Sequence, residues 1–169
     1  MAEQLPYRHM ARPVDDADAF PEPPPGIVLA PFDPARDAAE LYAVLAPTYD
    51  EVDDGMVLAP FEQWLSALLA DEDYCREAIF LARSNEGEVA GIVINWRNGF
   101  VYDLAVAPGW RKRGIAEFLL RHSFAHFAAA GVERVELKVT RGNPTGAERL
   151  YERLGFIDLP PENPPAIET

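Results

Sequence analysis

Positive charge is scarce in this chain: its 169 residues include 15 Lys and Arg against 28 Asp and Glu, a formal net charge of -13. A surface of that sign repels polyanions. Composition therefore excludes general binding to nucleic acid or to an anionic membrane, and any phosphate site has to be local. Cysteine is scarcer still. Cys75 stands alone, which excludes an internal disulfide and a multi-thiolate metal site and leaves a buried thiol as the expectation. Long apolar runs are missing as well, since nothing approaches the roughly 20 residues that span a bilayer. The opening "MAEQLPYRHM" lacks the apolar stretch of a signal peptide. A soluble, cytoplasmic protein is expected, without a membrane partner.

What is present suffices for one core, with 49% of residues hydrophobic over a length that favours a single domain. Prolines gather at both ends. Residues 1–25, closing on "FPEPPPG", show no apolar period and read as a flexible arm; the tail 160–169 reads the same way, leaving one domain over 26–159. Between the arms, "GIVLAPF" reads as a strand. "DPARDAAELYAVLA" reads as a helix with Asp33 as N-cap and Pro34 at its first position. An acidic loop carrying Asp50, Glu51, Asp53 and Asp54 leads into a second helix with Phe61, Trp64, Leu65, Leu68 and Leu69 on one face.

Three apolar runs separated by "NEG" and "RNG" then predict an antiparallel meander over 77–106. A long helix ending near Gly131, the alternating strand "VERVELKVT", the helix "GAERLYERLGF" and a short final strand complete the order. The pattern predicts an α/β fold, a mixed and mostly antiparallel central sheet flanked by helices. A helix between the third meander strand and the next forces a crossover, which makes those two strands parallel neighbours.

One stretch runs against the overall charge. In "APGWRKRGIAEFLL", Arg111, Lys112 and Arg113 crowd the start of a helix, where cations oppose the macrodipole at about 0.3–1 kcal/mol each. A bound anion resolves the conflict, because orphan amides and the dipole attract negative charge, and Gly114 and Ala116 let a ligand approach the backbone. The plainer explanation is a solvated turn, and the short motif taken alone does not separate the two.

The rest of the chain does. Arg111, Gly114 and Ala116, followed after the next strand by "NPTGAERLYERLGF", resemble the GCN5-related N-acetyltransferase superfamily, whose pyrophosphate loop reads Arg or Gln, two residues, Gly, one residue, Gly or Ala. The likeness covers roughly residues 26–158. It implies the family fold and an acetyl-CoA cosubstrate. Leu104, Ala105 and Val106 would pair with the pantetheine arm as with an added strand. Arg111, Lys112, Arg113, Gly114, Ile115, Ala116 and Glu117 would hold the diphosphate, and Asn143 would lie near the pantetheine. Tyr151 would protonate the departing thiolate.

The resemblance also implies direct attack of a neutral amine on the thioester, with a base to accept the amine's proton. Asp103 and Glu136 are the candidates, each of which has a bland alternative as an exposed or capping carboxylate, while Lys138 falls where some protein-acetylating members keep a glutamate. The acceptor is expected to be a small-molecule amine. Alternatives are a protein N-terminus or lysine, or a non-catalytic acyl-CoA-binding module. His122 and His126, four apart, suit helix packing better than a metal site, and no metal is expected. The short proline-rich end leaves an acceptor pocket that is open or completed by a second subunit, as in a homodimer.

Overall fold

Val89–Asn95 (β4) carries apolar side chains on both faces and is buried at every position, which makes it an interior strand of the sheet. The computed structural model describes residues 5–52 and 54–160. Its strands are β1 (Tyr7–Pro13), β2 (Ile27–Pro31), β3 (Ile79–Ser84), β4, β5 (Phe100–Val106), β6 (Arg134–Thr140) and β7 (Ile157–Asp158). They form one sheet in the order β2-β3-β4-β5-β6-β1-β7. Every pairing is antiparallel except β5 with β6, which is parallel as the crossover requires.

Helices α1 (Pro34–Glu51) and α2 (Phe61–Ala70) cover one face; α3 (Ile115–Ala129) and α4 (Ala147–Arg153) cover the other. Two apolar cores result. One packs Leu41, Leu45, Trp64 and Leu68 against Ile79, Leu81, Ile92 and Ile94, and the other packs Phe118, Leu119, Phe124, Phe127 and Tyr151 against Val93, Val135, Leu137 and Val139. Asp33 caps α1 as its sequence predicts, its Oδ1 accepting from the amide of Ala35 at 3.1 Å.

Three expectations are corrected. Residues 7–13, read as part of a flexible arm, form β1 between β6 and β7. Its period is hidden because charges tie it down. Arg8 reaches Glu148, Glu152 and Asp158 at 3.3, 2.7 and 2.8 Å, and Arg12 donates to the Leu154 carbonyl, pairs with Asp18 at 2.8 Å and lies over the Phe124 ring. Helix α1, expected to end before Pro47, runs through it to Glu51, so Asp50 and Glu51 belong to its last turn and not to a loop. Asp53 and the tail 161–169 lie outside the described residues. Cys75 is only partly buried, its Sγ facing Glu77 at 3.4 Å. His122 and His126 do pack, edge-on to Phe80, and burial lowers the pKa of both.

Arg8 joins β1, α4 and β7, so Arg8→Met is expected to lower Tm by a few degrees and to speed amide exchange in β1. The part contributed by Asp158 has a definite sign. Arg8 holds that carboxyl below its ordinary 3.8, so its stabilisation is present above that pH and is lost as acid protonates it. Melting curves for the two proteins should converge at low pH.

Candidate active site

Strands β5 and β6 share only two registered pairs, Phe100 with Glu136 and Val101 with Leu137. Beyond them the strands splay. The β6-facing edge of β5 from Tyr102 to Val106, with Leu104, Ala105 and Val106 on it, lines an open cleft in mid-sheet.

At the end of this edge the chain turns through Pro108–Trp110 into α3. Lys112 and Gly114 adopt left-handed conformations, φ 64° and 79°, which bend the backbone into a concave loop. Glycine takes that conformation without strain, whereas Lys112 takes it at a cost. Among the described residues, nothing accepts a hydrogen bond from the backbone amides of 112–117. These unpaired donors lie at the positive end of a fifteen-residue helix.

The charges around this cradle are not equivalent. Arg111, the first motif residue, donates to Glu51 at 2.6 Å and to the Val106 carbonyl at 3.2 Å. Lys112 and Arg113 are exposed, and among the described residues neither pairs with a carboxylate; Arg113 lies 4.8 Å over the Trp110 ring. Glu117 faces outward to Arg153 and Arg121, so only its amide belongs to the cradle. Ile115 is buried beneath the loop and Ala116 half-buried. Asn143 holds its own turn, its Oδ1 accepting from the Thr145 amide at 2.9 Å.

Register shifts between Ile94 and Asn95 where β4 pairs with β5, and this bulge re-aims the side chains opposite it. Tyr102 meets Trp96, and Asp103 meets Tyr49 of α1, on the same face of the sheet. The Tyr49 hydroxyl spans both oxygens of Asp103, at 3.0 and 3.3 Å. Burial pushes the Asp103 carboxyl up to about 7, and the Tyr49 hydrogen bond restrains the rise. Tyr49 itself is driven above the ordinary phenol range by burial first and by the Asp103 charge next.

Tyr151 is 8% exposed, at the opposite wall. Burial pushes its pKa up to about 12, with the Asp103 charge adding to the rise, so it carries its proton at neutral pH. Glu136 is differently placed. It points from β6 to the face opposite Val135 and Leu137, where Arg134 donates to it at 3.2 Å and His9 Nε2 lies 3.1 Å away. Lys138 sits over the Tyr7 ring at 5.1 Å. The Asp103 charge is thus felt at Tyr151 across the splay, its contact partner is Tyr49, and Glu136 lies beside Arg134 and His9.

Sequence reasoning missed Tyr49, because the segment that holds it reads as part of the acidic loop. The signal was there: Leu41, Leu45 and Tyr49 keep a four-residue step on one face. A cavity of 240 Å³, with Tyr42, Tyr49, Asp50 and Met56 in its walls, opens beside this residue. Asp54 closes over the cleft to the Thr140 hydroxyl at 2.8 Å.

Comparison with known proteins bears on the family and the fold. Residues 38–156 match the model of the acetyltransferase (GNAT) family. Mycothiol acetyltransferase from Thermobispora bispora is 29% identical over 163 residues, covering 87% of this chain and 52% of that protein. Mycothiol acetyltransferase from Streptomyces griseus is 30% identical over 151 residues, covering 85% and 47%. The chain thus spans about half the length of the curated relatives it matches. A GCN5-related N-acetyltransferase from Sphaerobacter thermophilus superposes with a TM-score of 0.75 at 30% identity, over 90% of this chain and 48% of that one. Diaminobutyrate acetyltransferase from Paenibacillus lautus, solved with its substrate L-2,4-diaminobutyric acid and coenzyme A, has a TM-score of 0.59 at 25% identity, over 76% and 74%. With its parallel splay, its orphan-amide loop and a family match over most of its length, the chain belongs to the acetyltransferase (GNAT) family.

Proposed function

We propose that this chain transfers an acetyl group from acetyl-CoA to a primary amine of a small molecule by direct attack. The observation that carries the reading is the cradle of unpaired amides at 112–117 continuing into the open edge of β5, with Asp103 on the same strand. The amides and the cations of Lys112 and Arg113 suit a diphosphate. The unpaired edge at Leu104, Ala105 and Val106 suits an amide-bearing arm that hydrogen-bonds as a strand does.

Asp103 is the base in this scheme. A carboxylate with a pKa near 7 is half-ionised at neutral pH and basic enough to take a proton from the substrate ammonium, directly or through water, and so release the neutral amine that attacks. The amine nitrogen forms the new bond to the acetyl carbon, and the carbon–sulfur bond breaks. Tyr151, protonated across the physiological range, gives its proton to the departing thiolate and regains one from the second N–H proton shed by the new amide nitrogen, directly or through water. Glu136 is the weaker candidate, because Arg134 already pairs with its carboxylate and it lies on the face away from Val135 and Leu137.

The test is paired. Calorimetry with CoA measures the cradle, and thiol release from acetyl-CoA with a panel of amines measures the chemistry. Binding with turnover supports the reading; binding without turnover across the panel leaves a non-catalytic acyl-CoA-binding module, and absence of binding overturns both. Tyr151→Phe is expected to reduce kcat by about tenfold or more with CoA affinity kept. An unchanged rate removes it from the mechanism.

A further inference from the structure

A second recess lies beyond the bulge. It encloses 100 Å³ and is lined by Trp64, Ala67, Leu68, Asp71, Trp96 and Tyr102. Three of these are aromatic, and the Trp96 and Tyr102 rings stand 4.6 Å apart, tilted by 39°. Tyr102 precedes Asp103 and shares its face of the sheet, yet is 47% exposed. The recess is therefore lined by the chain neighbour of the proposed base. Asp71 follows the last residue of α2, at the negative end of that helix's dipole. Its carboxylate accepts from the Asp73 amide at 2.9 Å, and among the described residues no lysine or arginine pairs with it.

Aromatic faces around an uncompensated carboxylate have one good chemical complement. An organic cation meets the ring quadrupoles and the charge together, whereas an anion is repelled and an apolar group would strip water from Asp71 without replacing it. We infer that the acceptor carries, besides the amine that is acetylated, a second cationic group, an alkylammonium held by Trp64, Trp96, Tyr102 and Asp71. This inference rests on the acetyl-transfer reading. The two ammonium groups divide the work: one loses its proton near Asp103 and attacks, and the other keeps its charge and anchors the molecule.

The test compares a series of α,ω-diamines with the matching n-alkylmonoamines in the thiol-release assay, using the whole chain and the variants Asp71→Asn and Tyr102→Leu. Asn keeps an oxygen for the Asp73 amide, and Tyr102 is exposed, so both variants preserve the fold. The best diamine is expected to exceed its monoamine in kcat/KM by roughly tenfold. Both variants should bring that ratio toward one, mainly through KM for the diamine. Equal values in the unaltered protein across the series, or ratios that the variants leave intact, overturn the inference while the acetyl-transfer reading stands. If no amine turns over, the reading itself fails. The recess is then judged by tryptophan fluorescence with tetramethylammonium: a saturable change lost in Asp71→Asn supports a cation site, and no saturable change refutes it.

Discussion

Asp103→Asn is expected to lower turnover with an amine acceptor by about 10²–10⁴-fold while CoA binding persists. The substitution preserves shape and the hydrogen bond from Tyr49, because the amide oxygen still accepts, and removes only the capacity to take a proton. In the unaltered protein kcat/KM should rise with pH through an acid limb near 7 that reports the Asp103 carboxyl, and the residual activity of the variant should lack that limb. Tyr49→Phe moves the limb upward, since the lost donor had favoured the charged form. Stability runs opposite to activity. A carboxyl raised from 3.8 to about 7 on folding stabilises the protein below 3.8, and that contribution is lost as pH climbs through 7. Asp103→Asn should therefore melt higher than the parent at pH 8 and lose this advantage in acid. A variant that is inactive yet more stable excludes unfolding as the cause. A fully active one excludes Asp103 as the base.

Gly91→Val is the second large effect. Gly91 lies in the fully buried β4, and a Cβ there would stand 2.8 Å from Ile115 Cγ2 and 3.3 Å from both the Ala105 carbonyl and Leu119 Cδ1. Ile115 opens α3 and is 2% exposed, so the neighbour that must yield is the floor of the amide cradle. Overpacking of this kind costs about 1–3 kcal/mol. Thermal denaturation should show that loss, and calorimetry should show weaker CoA binding with kcat at saturation much less affected. Intact CoA affinity in a destabilised variant would separate the packing of α3 from the shape of the loop.

The parts of the fold legible in the sequence are those whose signals are local. The crossover between β5 and β6, the turn into α3 and the Asp33 cap each rest on residues close in the chain, and each is found where the pattern put it. What escaped depends on distant partners. Strand β1 looks shapeless because Arg8 and Arg12 are held by residues about 140 to 150 positions away. The last turn of α1 survives Pro47 with Thr48 Oγ1 donating to the Leu45 carbonyl at 2.6 Å and Tyr49 anchored on Asp103, neither of which a proline rule can anticipate. Within the site, the motif residues marked the cradle but not its charge balance. Arg111 is spoken for by Glu51, a residue sixty positions earlier, and Glu136 by Arg134, with His9 of the unforeseen strand beside it.

The splay between β5 and β6 also decides what can dock there. Strand rims normally invite other proteins to add a strand, and this sheet blunts its outer rims, with a proline closing β2 and only two residues in β7. The bare rim of β5 faces inward across a slot whose far wall is β6. A rim enclosed in this way is flanked by the sheet's own strand, unlike the outer rims that stand open to a neighbouring protein.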